Sequence, residues 1–228
     1  MGFVDNEFSK LNSNVHPIII QPTEVYPMSD SHIFPQLVIP ETLAAGPGPG
    51  NTDARVLAAF ANTGLADHMQ ADVLRGMIEC KNMLRSLWGT NNTYTYGVGG
   101  TGFSGLDVML GAILPGDSVV AFVNGTFSGI DGMTIRMKAA TREEMSANAM
   151  NPQPANVTII DVPHGQSVTA EIVEKALAKH KPKWAFMAHW ETGSGRINDL
   201  QGFSDACEKH DAMGLIDAVS SLGIEDFT

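Results

Sequence analysis

The sequence predicts an α/β fold, a three-layer α/β/α arrangement around a mainly parallel sheet. Two observations carry this expectation. Beyond residue 93, short apolar runs alternate strictly with segments whose apolar residues recur at helical spacing, and several of those runs open into loops rich in Gly, Ser, Thr and Asn. A helix between two strands returns the chain to the edge where the first strand began, so alternation implies parallel pairing with helices on both faces. At 228 residues the chain is long enough to bury a sizeable core.

Residues 1–45 carry scattered Pro, Ser and Asn with no sustained period, and are expected to form an N-terminal arm or irregular lead-in. The run Ala45-Gly46-Pro47-Gly48-Pro49-Gly50 forces a loop, because alternating Gly and Pro sustain neither helix nor strand. Residues 46–228 are then read as one ligand-binding large domain. Val73, Leu74, Met77, Ile78, Met83, Leu84, Leu87 and Trp88 predict a long amphipathic helix ending at Gly89, its apolar stripe facing the core. Strands are expected at 93–96, 118–123, 157–160, 184–188 and 214–216. Helices are expected at 103–114, 130–139, 169–180 and 200–209. The polar, Pro-punctuated stretch 140–155 reads as an excursion from the core.

Composition excludes several classes. Fourteen Lys and Arg against twenty-five Asp and Glu give a net charge of −11, which repels nucleic acid and anionic membrane. Cys80 and Cys207 are far apart, so two buried free thiols are expected rather than a disulfide framework or a redox pair. No apolar run approaches the roughly 20 residues needed to span a bilayer. The amino terminus has neither the basic start and apolar core of a signal peptide nor a myristoylation motif, so a cytoplasmic protein is expected, subject to any address beyond residue 228.

The chemistry gathers in four loops. Gly97-Val98-Gly99-Gly100-Thr101-Gly102-Phe103-Ser104-Gly105 joins a strand to a helix, where backbone amides and the helix dipole hold a phosphate. Gly97, Gly99 and Gly102 also satisfy G-x-G-x-x-G, which keeps a dinucleotide site open. A Rossmann unit wants an acid closing the next strand, but Asp117 opens that strand and Asn124-Gly125 closes it. No Lys-Ser or Lys-Thr follows Gly102, so a P-loop fits worse, and a glycine turn without a ligand also stays open. Asn124-Gly125-Thr126-Phe127-Ser128-Gly129 brings one aromatic that would stack on a planar ring or else fill core. His189-Trp190-Glu191-Thr192-Gly193-Ser194-Gly195 supplies hydroxyls that would bond a ligand or else cap the helix beginning near Asn198 and Asp199. Its lone His has no second His at metal spacing, so no metal is expected. Gly214-Leu215-Ile216-Asp217 ends an apolar run in a carboxylate, at the strand edge where open α/β sheets bind ligands; the alternative is an Asp that caps the next turn.

A phosphate cradle, an aromatic plate, hydroxyls and an acid suit a flat, phosphorylated, protonatable heteroaromatic. Pyridoxal 5'-phosphate is such a molecule, its pyridine nitrogen kept protonated by a neighbouring carboxylate so that the ring accepts electrons. Five segments in order, Gly46-Pro47-Gly48-Pro49, the glycine turn with Leu114-Pro115-Gly116-Asp117, Asn124 to Phe127, His189 to Gly195, and Asp217-Ala218-Val219-Ser220-Ser221-Leu222-Gly223, resemble the class V aminotransferases. Within them the chain is most similar to the alanine-glyoxylate and serine-glyoxylate branch, from about residue 42 onward.

The resemblance implies the large domain of a pyridoxal-phosphate-dependent fold type I transferase, a homodimer that transfers an amino group between a small amino acid and a 2-oxo acid. Thr101, Gly102 and the Phe103 backbone would then hold the phosphate, Phe127 would stack on the ring, and Val219 would pack beneath it. Thr192 would bond the ring oxygen and Asp217 the pyridine nitrogen. Gly46 would lie near the bound amino acid. Phe103 stands where some relatives have His, and Trp190 where Gly or Asn is usual, which would reshape the substrate side.

In that family the Schiff-base lysine follows one strand after the aspartate. Here eleven residues follow Asp217 and none is lysine. No catalytic lysine is therefore assigned, and the family's small C-terminal domain is missing as well. The chain is expected to be the N-terminal part of such an enzyme and inactive alone. A non-catalytic module binding the same ligand, and an NAD-dependent oxidoreductase resting on the glycine match, are the alternatives.

Overall fold

The computed structural model describes residues 43–44, 48–61, 67–147, 154, 156–225 and 227. The lead-in, apart from residues 43 and 44, lies outside the described residues, as does Gly46. Ala44–Thr228 form one compact unit. Its elements in chain order are α1 (Ala54–Ala61), α2 (Ala71–Trp88), α3 (Gly102–Leu110), β1 (Val119–Val123), α4 (Thr126–Ala139), α5 (Arg142–Ala147), β2 (Val157–Asp161), α6 (Ala170–His180), β3 (Trp184–Ala188), β4 (Trp190–Glu191), β5 (Arg196–Ile197), α7 (Leu200–Lys209) and β6 (Met213–Asp217).

The main sheet runs β2-β1-β3-β6 and every pairing in it is parallel. Successive side chains of a strand point to opposite faces, so a strand covered on both sides must be apolar throughout. β1 reads Val-Val-Ala-Phe-Val and β3 reads Trp-Ala-Phe-Met-Ala, and the alternation divides them cleanly. Val120, Phe122, Ala185 and Met187 face Val173, Ala176 and Leu177 of α6 and Phe203, Ala206 and Cys207 of α7. Val119, Ala121, Trp184 and Phe186 face Leu106 and Leu110 of α3 and Ile135 and Ala139 of α4. This is the expected three-layer α/β/α architecture.

The amino edge of the sheet is pinned by Asp117. It accepts from Leu114 N at 3.0 Å, Trp184 Nε1 at 2.8 Å and Lys183 Nζ at 2.9 Å. These donors, the Leu114 amide first, hold its carboxyl down at about 2. The Leu-Pro-Gly-Asp segment is thus a strand-entry lock, and the carboxyl edge is left for chemistry.

Four expectations are corrected. Residues 93–96 form no strand; Tyr94 and Tyr96 are exposed, and β-propensity counts for little where no neighbouring strand supplies a surface to pack on. The 130–139 helix begins earlier, at Thr126, so Phe127 sits in its first turn. The stripe of α2 is not core: Met77, Ile78 and Met83 are about three-fifths exposed and no residue of the helix is buried. Periodicity reports that a helix has an apolar side, not what covers it. Cys80, on the same helix, is accordingly exposed, whereas Cys207 is buried and its thiol is pushed up to about 11 by that burial.

Candidate functional site

The carboxyl edge collects the loops after β1 and β3, the turn after β6, and the start of α3. Thr101 keeps an extended backbone, φ −81° and ψ 171°, and its carbonyl receives Ser104 N at 2.9 Å and Gly105 N at 3.3 Å. The Gly102 and Phe103 amides open α3, where a helix supplies no acceptor for its first N–H groups. Thr101 Oγ1 makes no cap bond and lies 3.5 Å from Ser104 Oγ. Two amides, two hydroxyls and a helix N-terminus together form an anion cradle. Gly100 permits it: its φ is +149°, and a Cβ there would meet Ser104 Oγ at 2.5 Å. Because no strand immediately precedes these glycines among the described residues, the dinucleotide fingerprint lacks its structural context.

Glu191 joins the second loop to the third. It is fully buried. Its carboxylate accepts Ser128 Oγ at 2.6 Å, Ser128 N at 2.8 Å, Gly193 N at 2.9 Å and Phe127 N at 3.2 Å. Burial pushes its pKa up, but those four donors outweigh burial and bring it below the ordinary range. The charge also sits at the positive end of α4, so the carboxylate both caps the helix and sets the height of Phe127. Gly125 makes room for it, since a Cβ there would collide with the Glu191 side chain. Ser128 Oγ in turn receives the Asn124 and Gly125 amides, each at 3.1 Å.

Behind this lies a buried amide pair. Asn198 Oδ1 accepts Asn124 Nδ2 at 2.9 Å and Val168 N at 2.8 Å, while Asn198 Nδ2 donates to Ala188 O at 2.8 Å. It ties the ends of β1 and β3 to the chain entering α7.

Asp217 closes β6. Its Oδ1 accepts Val219 N at 2.9 Å, so one oxygen does cap the turn. That turn exposes Val219 and brings it to the phosphate cradle: a methyl built on Gly102 would lie 3.6 Å from Val219 Cγ2. Ser220 contacts Thr192 hydroxyl to hydroxyl. Ser221 Oγ lies 3.0 Å from His189 Nδ1, and burial holds that imidazole below its ordinary pKa. Asp199 caps α7 by accepting Gly202 N at 2.9 Å, so Thr192 and Ser194 are not needed for that task.

Thr101, Gly102, Phe103, Phe127, Thr192, Asp217 and Val219 therefore border one region, linked through Gly102 to Val219, Glu191 to Phe127, and Thr192 to Ser220. Phe127 is partly exposed, 42%, and Phe103 more so, 56%. Trp190 stands apart, paired with Ile197 across the two-stranded β4–β5 sheet, its indole N–H buried without an acceptor. Sequence reading missed Asp131. It sits in the buried stripe Ser128, Asp131, Gly132, Ile135 and Ala139 of α4, and an acid in an otherwise small or apolar stripe was the available signal.

Residues 138–227 match the family model for aminotransferase class-V. Alanine–glyoxylate aminotransferase of Rattus norvegicus is 32% identical over 213 residues, 93% of this chain and 46% of the relative. The Mus musculus protein of the same name is 35% identical over 188 residues, covering 82% and 42%. Among solved structures, alanine–glyoxylate aminotransferase from Nostoc sp. superposes with a TM-score of 0.74 at 30% identity, over 85% of this chain and 48% of that one. The chain thus spans under half the length of these relatives.

Proposed function

We propose that this chain, which belongs to the class-V aminotransferases through residues 138–227, holds pyridoxal 5'-phosphate at the carboxyl edge of its sheet. In the whole protein this site serves transfer of an amino group between a small amino acid of alanine or serine type and a 2-oxo acid of glyoxylate or pyruvate type. The observation that carries the reading is the convergence of an anion cradle, an aromatic ring, a hydroxyl and a carboxylate in one place. The residues present fit the cofactor: the cradle keeps its shape through Gly100, where a Cβ would collide with Ser104, and the turn after β6 bonds the Asp217 carboxylate through Oδ1.

When bound there, the cofactor supplies an aldehyde for amine exchange and a ring that accepts electron density. The chain's own residues bind, clamp and charge it. Thr101 Oγ1 with the Gly102 and Phe103 amides would hold the phosphate by hydrogen bonds. Phe127 and Val219 would flank the ring, Thr192 would donate to the ring oxygen, and Asp217 would keep a proton on the ring nitrogen. A homodimer in the cytoplasm completes the reading, the exposed stripe of α2 supporting a partner surface.

Lysine is the missing part among the described residues. Lys81 lies on α2; Lys175, Lys179, Lys181 and Lys209 lie along or just beyond helices that carry the chain back to the amino edge; Lys138 pairs with Asp107, and Lys183 pairs with Asp117 at that edge. This supports a second reading, a binding module without turnover. Alanine and glyoxylate supplied with the cofactor separate the two: the 228-residue chain binds the cofactor without transfer, and the product of the whole reading frame transfers. Transfer by the short chain would overturn the assigned roles, and absence of transfer by the long one would favour the module.

A further inference from the structure

Asp131 is 3% exposed, and its Oδ2 is buried without any donor among the described residues. No base answers it. Helix α4 packs against α3, β1, β2 and β4. β1 carries no titratable group, Asp161 ends β2 exposed, and Asp107 of α3 is bound 2.7 Å from Lys138 at the far end of α4. The groups acting on Asp131 are the carboxyls of Asp217 and Glu191. Glu191 is saturated by its four donors, so it can neither give nor take a proton from its neighbour. Asp217 is the side-chain hydrogen-bond partner of Asp131, and two carboxyl groups bond only if one carries a proton.

We propose that Asp131 is a positioning residue for Asp217: the two carboxyls share one proton, Asp131 donating its O–H to Asp217 and fixing the carboxylate that meets the cofactor's ring nitrogen. No bond to the proton breaks in this arrangement. The pair carries a single negative charge, which a protonated ring neutralises on docking; full ionisation would leave two charges beside that of Glu191. Burial first, then the charges of Asp217 and Glu191, push the Asp131 carboxyl up to about 7, so the acid form persists to neutral pH.

The ring-nitrogen role rests on the cofactor reading above, whereas the shared proton does not. Side-chain carboxyl ¹³C NMR of the ligand-free chain therefore tests the proton directly. Asp131 titrates near neutral pH, and Asp217→Asn lowers that midpoint by about one pH unit or more. An Asp131 midpoint in the ordinary carboxylate range, or one unmoved by Asp217→Asn, overturns the proposal. Pyridoxal 5'-phosphate titrations then test positioning. Asp131→Asn, which keeps a donor, retains affinity within about two-fold at about pH 6 and loses its pH dependence, while Asp131→Leu weakens binding about ten-fold. Equal affinity and equal pH dependence in Asp131→Leu and wild type overturns the positioning role. If the wild-type chain binds no cofactor, the cofactor reading fails, and the shared proton still stands or falls on the carboxyl titration.

Discussion

Asp131 and Asp217 show how differently two aspartates of one sheet edge are legible. Asp217 announces itself because an apolar run ends in it, and strand ends at a carboxyl edge are where ligands bind. Asp131 is hidden because a helix places it beside Asp217 across 86 positions of sequence, and no local pattern encodes that pairing. Its cost is measurable. A carboxyl raised from 3.8 to about 7 by folding stabilises the fold fully below pH 3.8 and loses that contribution as pH rises through about 7. The difference corresponds to on the order of 4 kcal/mol. In Asp131→Asn that slope disappears, and urea midpoints between about pH 4 and 7 run flatter than wild type. Parallel curves for the two proteins would contradict it. Thr101 makes the opposite case: it is exposed and caps nothing in the chain, so Thr101→Ala leaves the melting temperature within about 2 °C yet weakens cofactor binding about ten-fold, read by calorimetric titration.

At the level of elements, α4 depends on a carboxylate that belongs to another segment. Its first turn receives no cap from Gly125, and Glu191 of β4 fills the place. The sequence shows the helix and shows the Glu, but their junction is tertiary. Phe127 was accordingly placed in a loop when it is helical, since capping by a distant residue leaves no S-x-x-E signature to read. Glu191→Gln keeps the shape but, in either amide orientation, turns an N–H₂ toward at least one backbone N–H donor. Stability falls by about 3 kcal/mol, measured by urea unfolding, and cofactor affinity falls with it as Phe127 shifts. Because Glu191 is held below 4.5 in the fold, its contribution is present above that pH and lost as pH drops. Wild-type stability in Glu191→Gln would show that the carboxylate is not the cap.

For the whole molecule, the parallel sheet was readable because β1 and β3 are apolar on both faces and separated by helical periods, a pattern that antiparallel sheets rarely produce. The 93–96 segment and the α2 stripe misled for one shared reason: propensity and amphipathicity describe a surface without naming its partner. No lysine among the described residues is assigned to the site, which bears on function rather than fold, and alanine with glyoxylate is predicted to give no product with the 228-residue chain, by a pyruvate-formation assay. Non-covalent binding by the cradle, the ring and the acid needs no lysine, so it is the property to measure first. Pyridoxal 5'-phosphate labelled with ¹⁵N in its ring, bound to the chain at a pH where the free ring nitrogen has lost its proton, reports directly on Asp217. A ring nitrogen that stays protonated in the wild type and deprotonates in Asp217→Asn is the predicted result; no binding, or the same nitrogen state in both proteins, would contradict the site assigned here.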